Sequence, residues 1–166
     1  MKLVIGADHG GVELKAEIRK YLDAQGYEYH DVGTFTSEAV DYPDIGQAAA
    51  EYIAEGKAEL GIIICGTGIG ISISANKVPG IRCALVSDVF SAKRTREHNN
   101  ANMMALGARV IGPGLAIELV DAFLHTDFLK DEARHVKRVE KISAIEKKYS
   151  REEKKQWGTL SSSIIP

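Results

Sequence analysis

Short apolar segments alternate along the chain with amphipathic segments whose apolar residues recur at helical spacing. The apolar segments predict strands over residues 3–7, 27–32, 60–64, 81–86 and 105–111. The amphipathic segments predict helices over residues 14–25, 44–55, 87–96, 115–124 and 131–149, and a further one from about residue 70. This alternation predicts an α/β fold: a doubly wound five-stranded parallel sheet with helices on both faces, a Rossmann-like three-layer sandwich.

The segment LGIIICGTGIGISISA, residues 60–75, combines a predicted strand with a glycine-rich turn. Cys65 falls at the carboxyl end of this strand. Gly66, Gly68 and Gly70 let the backbone turn sharply and approach a ligand closely. A helix that begins near Gly70 leaves N–H groups without partners and directs the positive end of its dipole at the turn. The turn is therefore a candidate site for an anion, or for an oxygen that becomes anionic during a reaction.

Two other interpretations of this turn stay open. It can be a tight strand-to-helix connection that binds nothing. It can also belong to a dinucleotide-binding fold, which has the pattern G-x-G-x-x-G and an acidic residue about 20 positions later. Asp88 lies near that distance, but Ile71 occupies the place of the third glycine, and the phosphate-loop pattern G-x-x-x-x-G-K-[ST] is absent.

Asp8 and His9 follow the first predicted strand, so the sheet should bring them close to Cys65 at its ligand-binding edge. Each can instead serve the backbone as a cap or turn residue. A free cysteine is often a small buried apolar residue, which is the interpretation we give Cys83. Cys65 differs because a helix N-terminus stabilises a thiolate, which can act as a nucleophile or as a base.

Arg134 and Arg138 lie four residues apart on the last predicted helix and so share one face. Such a pair can bind a phosphate, or it can form a solvated cationic face beside Glu140 and Glu146. The histidines have no metal-ligand spacing, and we predict no metal. They are His9, His30, His98, His125 and His135.

Composition narrows the class of protein. The chain has 166 residues, 45% hydrophobic and 27% charged, with a net charge of -2. It can bury one full core and offers no broad basic surface for nucleic acid. We expect no signal peptide or membrane span, and hence a reducing cytoplasm. Composition changes after residue 149, so we expect one domain over residues 1–149 and a C-terminal tail over residues 150–166.

Several motifs together resemble the type B ribose-5-phosphate isomerases, a family that also contains allose-6-phosphate and galactose-6-phosphate isomerases. The resemblance extends over residues 1–148. The motifs are Asp8-His9-Gly10-Gly11, Asp41-Tyr42-Pro43, CGTGIGIS from Cys65 to Ser72, Ala75-Asn76-Lys77, Arg96-Glu97-His98-Asn99 and Arg134-His135.

The resemblance implies interconversion of ribose 5-phosphate and ribulose 5-phosphate without a metal or an organic cofactor. Cys65 would be the general base that moves a proton between C2 and C1 through an enediolate, and His98 would open the sugar ring. The resemblance also implies an anion hole formed by Gly66, Thr67, Gly68, Ile69 and Gly70, with the Thr67 hydroxyl near the sugar oxygens. The sugar hydroxyls would be oriented by Asp8, Tyr42 and Asn99. The phosphate would be bound by His9, Arg109, Arg134 and Arg138.

The resemblance also implies a homodimer or homotetramer in which His98, Asn99 and Arg109 complete a site built mainly by the neighbouring subunit. Three features of the sequence depart from the family pattern. Lys130-Asp131-Glu132-Ala133 stands where glycines are common, Asn100 replaces a frequent aspartate, and the tail extends past the usual end. A phosphohexose isomerase, a non-catalytic sugar-phosphate or nucleotide sensor and an NAD-dependent oxidoreductase are the alternatives.

Overall fold

The computed structural model describes the backbone of residues 1–160 and the side chains of residues 1–150. In this part of the chain the strands are β1 (Lys2–Ala7), β2 (Glu28–Asp31), β3 (Leu60–Cys65), β4 (Cys83–Leu85) and β5 (Met103–Gly107). The helices are α1 (Val12–Ala24), α2 (Tyr42–Ala54), α3 (Ile69–Ala75), α4 (Val89–Asn99), α5 (Pro113–Leu124) and α6 (Ala133–Leu160).

All pairings in the sheet are parallel, and the strand order is β2-β1-β3-β5-β4. The predicted α/β fold with a doubly wound parallel sheet is therefore confirmed. The chain adds β2 on one side of β1 and then places β3 on the other side. This reversal makes the carboxyl ends of β1 and β3 a topological switch point, where ligands bind in folds of this type.

Both faces of the sheet are covered, because its strands carry apolar side chains on both sides. One core contains Ile5, Ile62 and Met104 from the strands together with Ile18 of α1 and Phe123 of α5. The other core contains strand residues such as Val4 and Ile63 packed with residues of α2 and α3. The glycine-rich segment thus folds against the α2–α3 side of the sheet.

A second compact unit begins at Leu129, after the unit Met1–Phe128. It contains α6, which runs to Leu160, well past the predicted end near residue 149. The first residues of the predicted tail therefore continue this helix. Residues 161–166 of the predicted tail lie outside the described residues. Within residues 1–160, no helix is both long and apolar enough to cross a membrane.

Two helices begin at other residues than the pattern predicts. Asp44 is not the cap of α2, which begins at Tyr42, with a proline in its first turn where a missing N–H costs nothing. Ser87 is not the cap of α4. That position belongs to Asp88, whose carboxylate accepts a hydrogen bond of 2.7 Å from the N–H of Ser91. This bond holds the pKa of Asp88 below its ordinary value.

The segment from residue 98 to residue 111 differs most from its prediction. His98 and Asn99 lie in the last turn of α4 and not in a loop. Strand β5 spans Met103–Gly107, so the predicted strand over residues 105–111 is shifted. Residues 108 and 109 turn back to the β3 side, where their N–H groups donate to the carbonyls of Cys65 and Gly66 at 2.9 and 3.0 Å.

Candidate active site

The loops that follow β1 and β3 meet at the switch point. The N–H of Asp8 donates to the carbonyl of Ile64 at 3.1 Å, which continues the pairing of the two strands. The Asp8 carboxylate then accepts the N–H of Gly10 at 2.9 Å, so its side chain shapes the turn. A Cβ atom at Gly10 would lie 3.5 Å from the amide nitrogen of Gly66. The sheet therefore brings Asp8 and Cys65 into one neighbourhood.

Cys65 ends β3 with its side chain inside the protein, only 4% exposed. Its sulfur accepts a hydrogen bond of 3.1 Å from the N–H of Gly68. Gly68 has a left-handed backbone with φ +75°, and a Cβ atom there would lie 2.5 Å from Cδ1 of Leu85. Only glycine fits this turn without strain. The thiolate is the reactive form of cysteine, and here the sulfur lies beside an N–H donor at the start of a helix.

Thr67 and Ile69 complete the Cys65 loop, which we define as residues 65–70. Both side chains are exposed, and the N–H of Ile69 donates to the Thr67 hydroxyl oxygen at 3.3 Å. The Thr67 hydroxyl is thus held at the start of α3. Helix α3 begins at Ile69, one residue before the predicted start.

Tyr42 approaches the Cys65 loop from α2. Ring and hydroxyl atoms of Tyr42 lie 2.6 to 2.9 Å from the place of a Cβ atom at Gly70. The absence of a side chain at Gly70 therefore lets the tyrosine ring lie on the loop. Tyr42 is 41% exposed, so its side chain contacts both the loop and solvent.

Arg109 reaches the other side of the same loop from the turn after β5. Its Cδ, Nε and Cζ atoms lie 3.6 Å from the place of a Cβ atom at Gly66. The resemblance implies that a neighbouring subunit supplies this arginine. In the single chain it already lies beside its own Cys65 loop, and its part in a neighbour's site stays a prediction.

His9 joins the loop after β1 to the segment that leads into α2. Its Nδ1 atom lies 3.2 Å from both the nitrogen and the carbonyl oxygen of Val40, so it can exchange a hydrogen bond with either group. A cleft of 870 Å³ opens beside His9 and Gly10, lined also by Glu13, Ala108 and Pro113. His9 therefore stands at the border between the switch point and a solvent-accessible cleft.

His98 and Asn99 lie at the opposite edge of the sheet from Cys65. Helix α4 runs back from the carboxyl end of β4, and the carbonyl of Asn99 accepts a hydrogen bond from Arg82, which directly precedes that strand. The five residues of β5 separate the amino end of this strand from its carboxyl end by about 16 Å. One chain therefore does not bring His98 to its own Cys65.

Arg134 and Arg138 belong to the second unit, on α6, and both side chains are exposed. The Nε atom of Arg134 forms an ion pair of 3.4 Å with Glu132. Their predicted role in phosphate binding stays a prediction.

The two cysteines have different surroundings. Burial raises the pKa of Cys83 to about 12, so this thiol stays protonated at neutral pH. Cys65 differs from it in position, because it ends β3 at the switch point and its Sγ atom accepts the N–H of Gly68. Among the described residues there is no group of three or more His, Cys, Asp or Glu side chains placed to bind a metal ion.

Lys15 is a residue with a positioning role that the pattern did not single out. Its ammonium group, 1% exposed, donates to the Asp31 carboxylate and to the carbonyl of Thr34, both at 2.8 Å. It thereby ties α1 to the start of the loop that leads to Val40 and Tyr42. The signal was a lysine between Leu14 and Ile18 on the apolar face of α1.

Comparison with known proteins places this geometry in a family. The profile of the Ribose/Galactose Isomerase family matches residues 3–142. The chain is 46% identical to ribose-5-phosphate isomerase B of Escherichia coli, over 89% of this chain and 97% of that protein. It is 47% identical to the galactose-6-phosphate isomerase subunit LacB of Clostridium acetobutylicum, over 77% of this chain and 74% of that protein.

A solved structure agrees with both the fold and the family. The structure of Clostridium thermocellum ribose-5-phosphate isomerase B has a TM-score of 0.87 and 53% identity, covering 90% of this chain and 99% of that chain. The similarity therefore includes the sheet, its helices and the switch point that carries the Cys65 loop.

Proposed function

The chain belongs to the Ribose/Galactose Isomerase family and is an aldose–ketose isomerase, and we propose that it interconverts ribose 5-phosphate and ribulose 5-phosphate. The observation that carries this proposal is the placement of Cys65. Its sulfur lies at the switch point of the sheet, under an N–H donor and beside the loop of Asp8. A base at this place can act on a small ligand held by the surrounding loops.

In the proposed reaction the Cys65 thiolate removes the proton from C2 of the open-chain aldose. The electron pair forms the C1–C2 double bond, and negative charge develops on the C1 oxygen. The thiol then returns the proton to C1 while the hydroxyl proton on O2 moves to O1, which leaves a carbonyl at C2. Loss of a proton beside a carbonyl is difficult because the enediolate is unstable, so preorganised donors of the Cys65 loop would stabilise its oxygen. We propose that the Thr67 hydroxyl lies near the sugar oxygens and that Asp8 and Tyr42 orient the sugar hydroxyls.

Ribose 5-phosphate is a cyclic sugar in solution, so the reaction also needs a group that opens the ring. We propose that His98 moves the proton between the anomeric hydroxyl and the ring oxygen, with Asn99 orienting a hydroxyl. Because these residues lie near the amino ends of the strands in their own chain, a second copy of the chain would deliver them to the site. The active protein is then a homodimer or homotetramer with shared sites, working without a cofactor in the cytoplasm.

The phosphate group of the substrate would supply binding energy that holds C1 and C2 against the thiolate. The cationic groups proposed for it are His9, Arg109, Arg134 and Arg138. Arginine guanidinium groups fit phosphate oxygens through paired, charge-assisted hydrogen bonds. Of these residues, Arg109 already lies beside the Cys65 loop of the same chain.

A phosphohexose isomerase is the second candidate, favoured by the 47% identity to a galactose-6-phosphate isomerase subunit. One more carbon atom lengthens the pocket and leaves the enediolate chemistry unchanged. Both candidates require the same base at Cys65, so only the substrate separates them.

A direct assay tests the proposal. Purified protein is mixed with ribose 5-phosphate, allose 6-phosphate or galactose 6-phosphate in EDTA with no cofactor added, and ketose formation is followed. We expect turnover of the pentose. Turnover of a hexose phosphate alone keeps the mechanism and changes the substrate. Folded protein that binds these sugars without turnover is a sensor, and the proposal is then wrong.

A further inference from the structure

Two arginine side chains, those of Arg82 and Arg96, bind the backbone at the end of α4. The helix ends at Asn99, and Asn100 continues it into a left-handed conformation with φ 47°. The carbonyls at such an end lack partners within the helix and lie at the negative end of its dipole. Here Arg82 donates to the carbonyl of Asn99, the last residue of the helix, and Arg96 donates to the carbonyl of Ala101, just beyond it.

Arg82 contacts this turn from the segment before β4. Its Nε group donates to the carbonyls of Asn99 at 3.2 Å and Asn100 at 2.9 Å. The backbone of Arg82 is itself fixed, because its N–H donates to the side chain of Asn102 at 2.8 Å. The amide group of Asn102 also donates to the carbonyl of Gly80 at 2.9 Å. The guanidinium group thus extends from a rigid support.

Arg96 contacts the same turn from within α4. Its Nη1 group donates to the carbonyl of Ala101 at 2.5 Å and lies 3.5 Å from the side-chain oxygen of Asn100. Its Nε group donates to the carbonyl of Thr126 at 3.1 Å, and the guanidinium plane stands over the ring of Phe123 at 5.5 Å. Desolvation of this half-buried group lowers the pKa of Arg96. The contacts tie the turn to the end of α5.

We propose that Arg82 and Arg96 are positioning residues for the reaction, because their guanidinium groups fix the turn that carries His98 and Asn99. This inference rests on the proposed function, in which both residues act on the sugar in a neighbouring subunit. Neither arginine contacts the substrate in this account. They act on the backbone carbonyls directly after His98, and so set the direction in which its imidazole leaves the helix.

Two guanidinium groups suit this task better than a helix cap alone. Asn100 already turns the chain, and its N–H donates to the carbonyl of Arg96 at 3.1 Å. That local bond ends the helix but leaves its last turn free to fray. Bonds from Arg82 and Arg96 connect the turn to β4 and α5, which are parts of the core. A proton-transfer group must be held within a fraction of an ångström, and a displacement of about 1 Å can lower the rate about 100-fold.

The test compares Arg82→Ala, Arg82→Lys and the control Arg94→Ala in the full chain with ribose 5-phosphate. Arg94 lies on the same helix, but it pairs with the side chain of Glu97 and not with the terminal carbonyls. We expect Arg82→Ala to lower kcat at least about 10-fold with little change in KM. Arg82→Lys should recover part of the loss, and Arg94→Ala should retain the kcat of the wild type.

The decisive measurement places Arg82→Ala in a His98→Ala background. If Arg82 acts through His98, the second substitution causes no further loss of kcat, so the two effects are not additive. Additive losses, or an Arg82→Ala variant with the kcat of the wild type, overturn the inference while the isomerase stands. A wild-type protein without turnover overturns the function and the inference together. If Arg82→Ala does not fold, Arg82→Lys is compared with the wild type in both backgrounds.

Discussion

At the scale of single residues, the geometry of the candidate active site depends on the left-handed backbone conformation of Gly68. Gly68 sends its N–H to the sulfur of Cys65 while it starts α3 with φ +75°. The pattern of glycines predicted the turn. Cys65 and Asp8 were predicted to lie close together because each follows or ends a strand at its carboxyl end. The pattern did not show which glycine requires the left-handed conformation, because that depends on Leu85 and Leu106 packed against it.

Replacing Gly68 by alanine should therefore destabilise the protein and weaken the reaction. Gly26 is a matched control because it has the same φ of +75°, with nothing within 4 Å of its Cβ position. The conformational cost is about 1 to 2 kcal/mol at either position. At Gly68 the new methyl group also meets Leu85 at 2.5 Å. Chemical denaturation should show a clearly larger loss for Gly68→Ala than for Gly26→Ala, and equal losses would contradict this account.

At the scale of elements, the alternation of apolar and amphipathic segments was sufficient to predict the order of strands and helices. Their ends were harder to predict where tertiary contacts decide them. The polar residues His98 and Asn99 suggested a loop, yet the helix continues to Asn99, whose carbonyl binds Arg82, and Arg96 binds the carbonyl of Ala101 just after it. Likewise Arg109 fell inside a predicted strand, although the chain turns at this point to pair with the carbonyl of Gly66.

Helix α1 and the loop after β2 are joined by the buried Lys15–Asp31 ion pair, whose loss we expect to be costly. Lys15→Met keeps most of the side chain and removes the charge, which leaves the Asp31 carboxylate with a longer contact of 3.4 Å to Arg19 and the N–H of Gly33 at 3.0 Å. Breaking a buried pair costs about 3 to 5 kcal/mol. Lys20→Met is the control, since Lys20 pairs with Glu17 on the exposed side of the same helix. Similar free energies of unfolding for the two variants would contradict the role of Lys15.

At the scale of the whole molecule, the sheet separates the residues that we propose for proton transfer from those that we propose for ring opening. Cys65 and Asp8 lie at the carboxyl ends of its strands, whereas His98 and Asn99 lie near the amino ends. The fold of the single chain could be predicted from its sequence pattern. The proposed meeting of these two groups could not be predicted from the pattern, because it involves a second chain, and only the resemblance suggested it.

Mixed oligomers test this division. Cys65→Ala and His98→Ala chains, each with only a small residual activity alone, are unfolded, mixed in equal amounts and refolded. If sites are shared between two chains, half of the pairs are hybrids with one intact site, and activity returns to about a quarter of the wild type. A mixture of Cys65→Ala with Asp8→Asn is the control, because both changes lie at the same edge and no hybrid has an intact site. Absence of rescue in the first mixture would show that each site lies within one chain.

The central claim is that Cys65 is the base of a phosphopentose isomerase. The measurement that tests it most directly is the turnover of ribose 5-phosphate by Cys65→Ala, with Cys83→Ala as the matched control. General bases contribute about 100-fold to 10,000-fold, so we predict that Cys65→Ala loses at least about 100-fold in kcat while it stays folded. Cys83→Ala should keep the activity of the wild type. Comparable turnover by folded Cys65→Ala and wild-type protein would contradict the account.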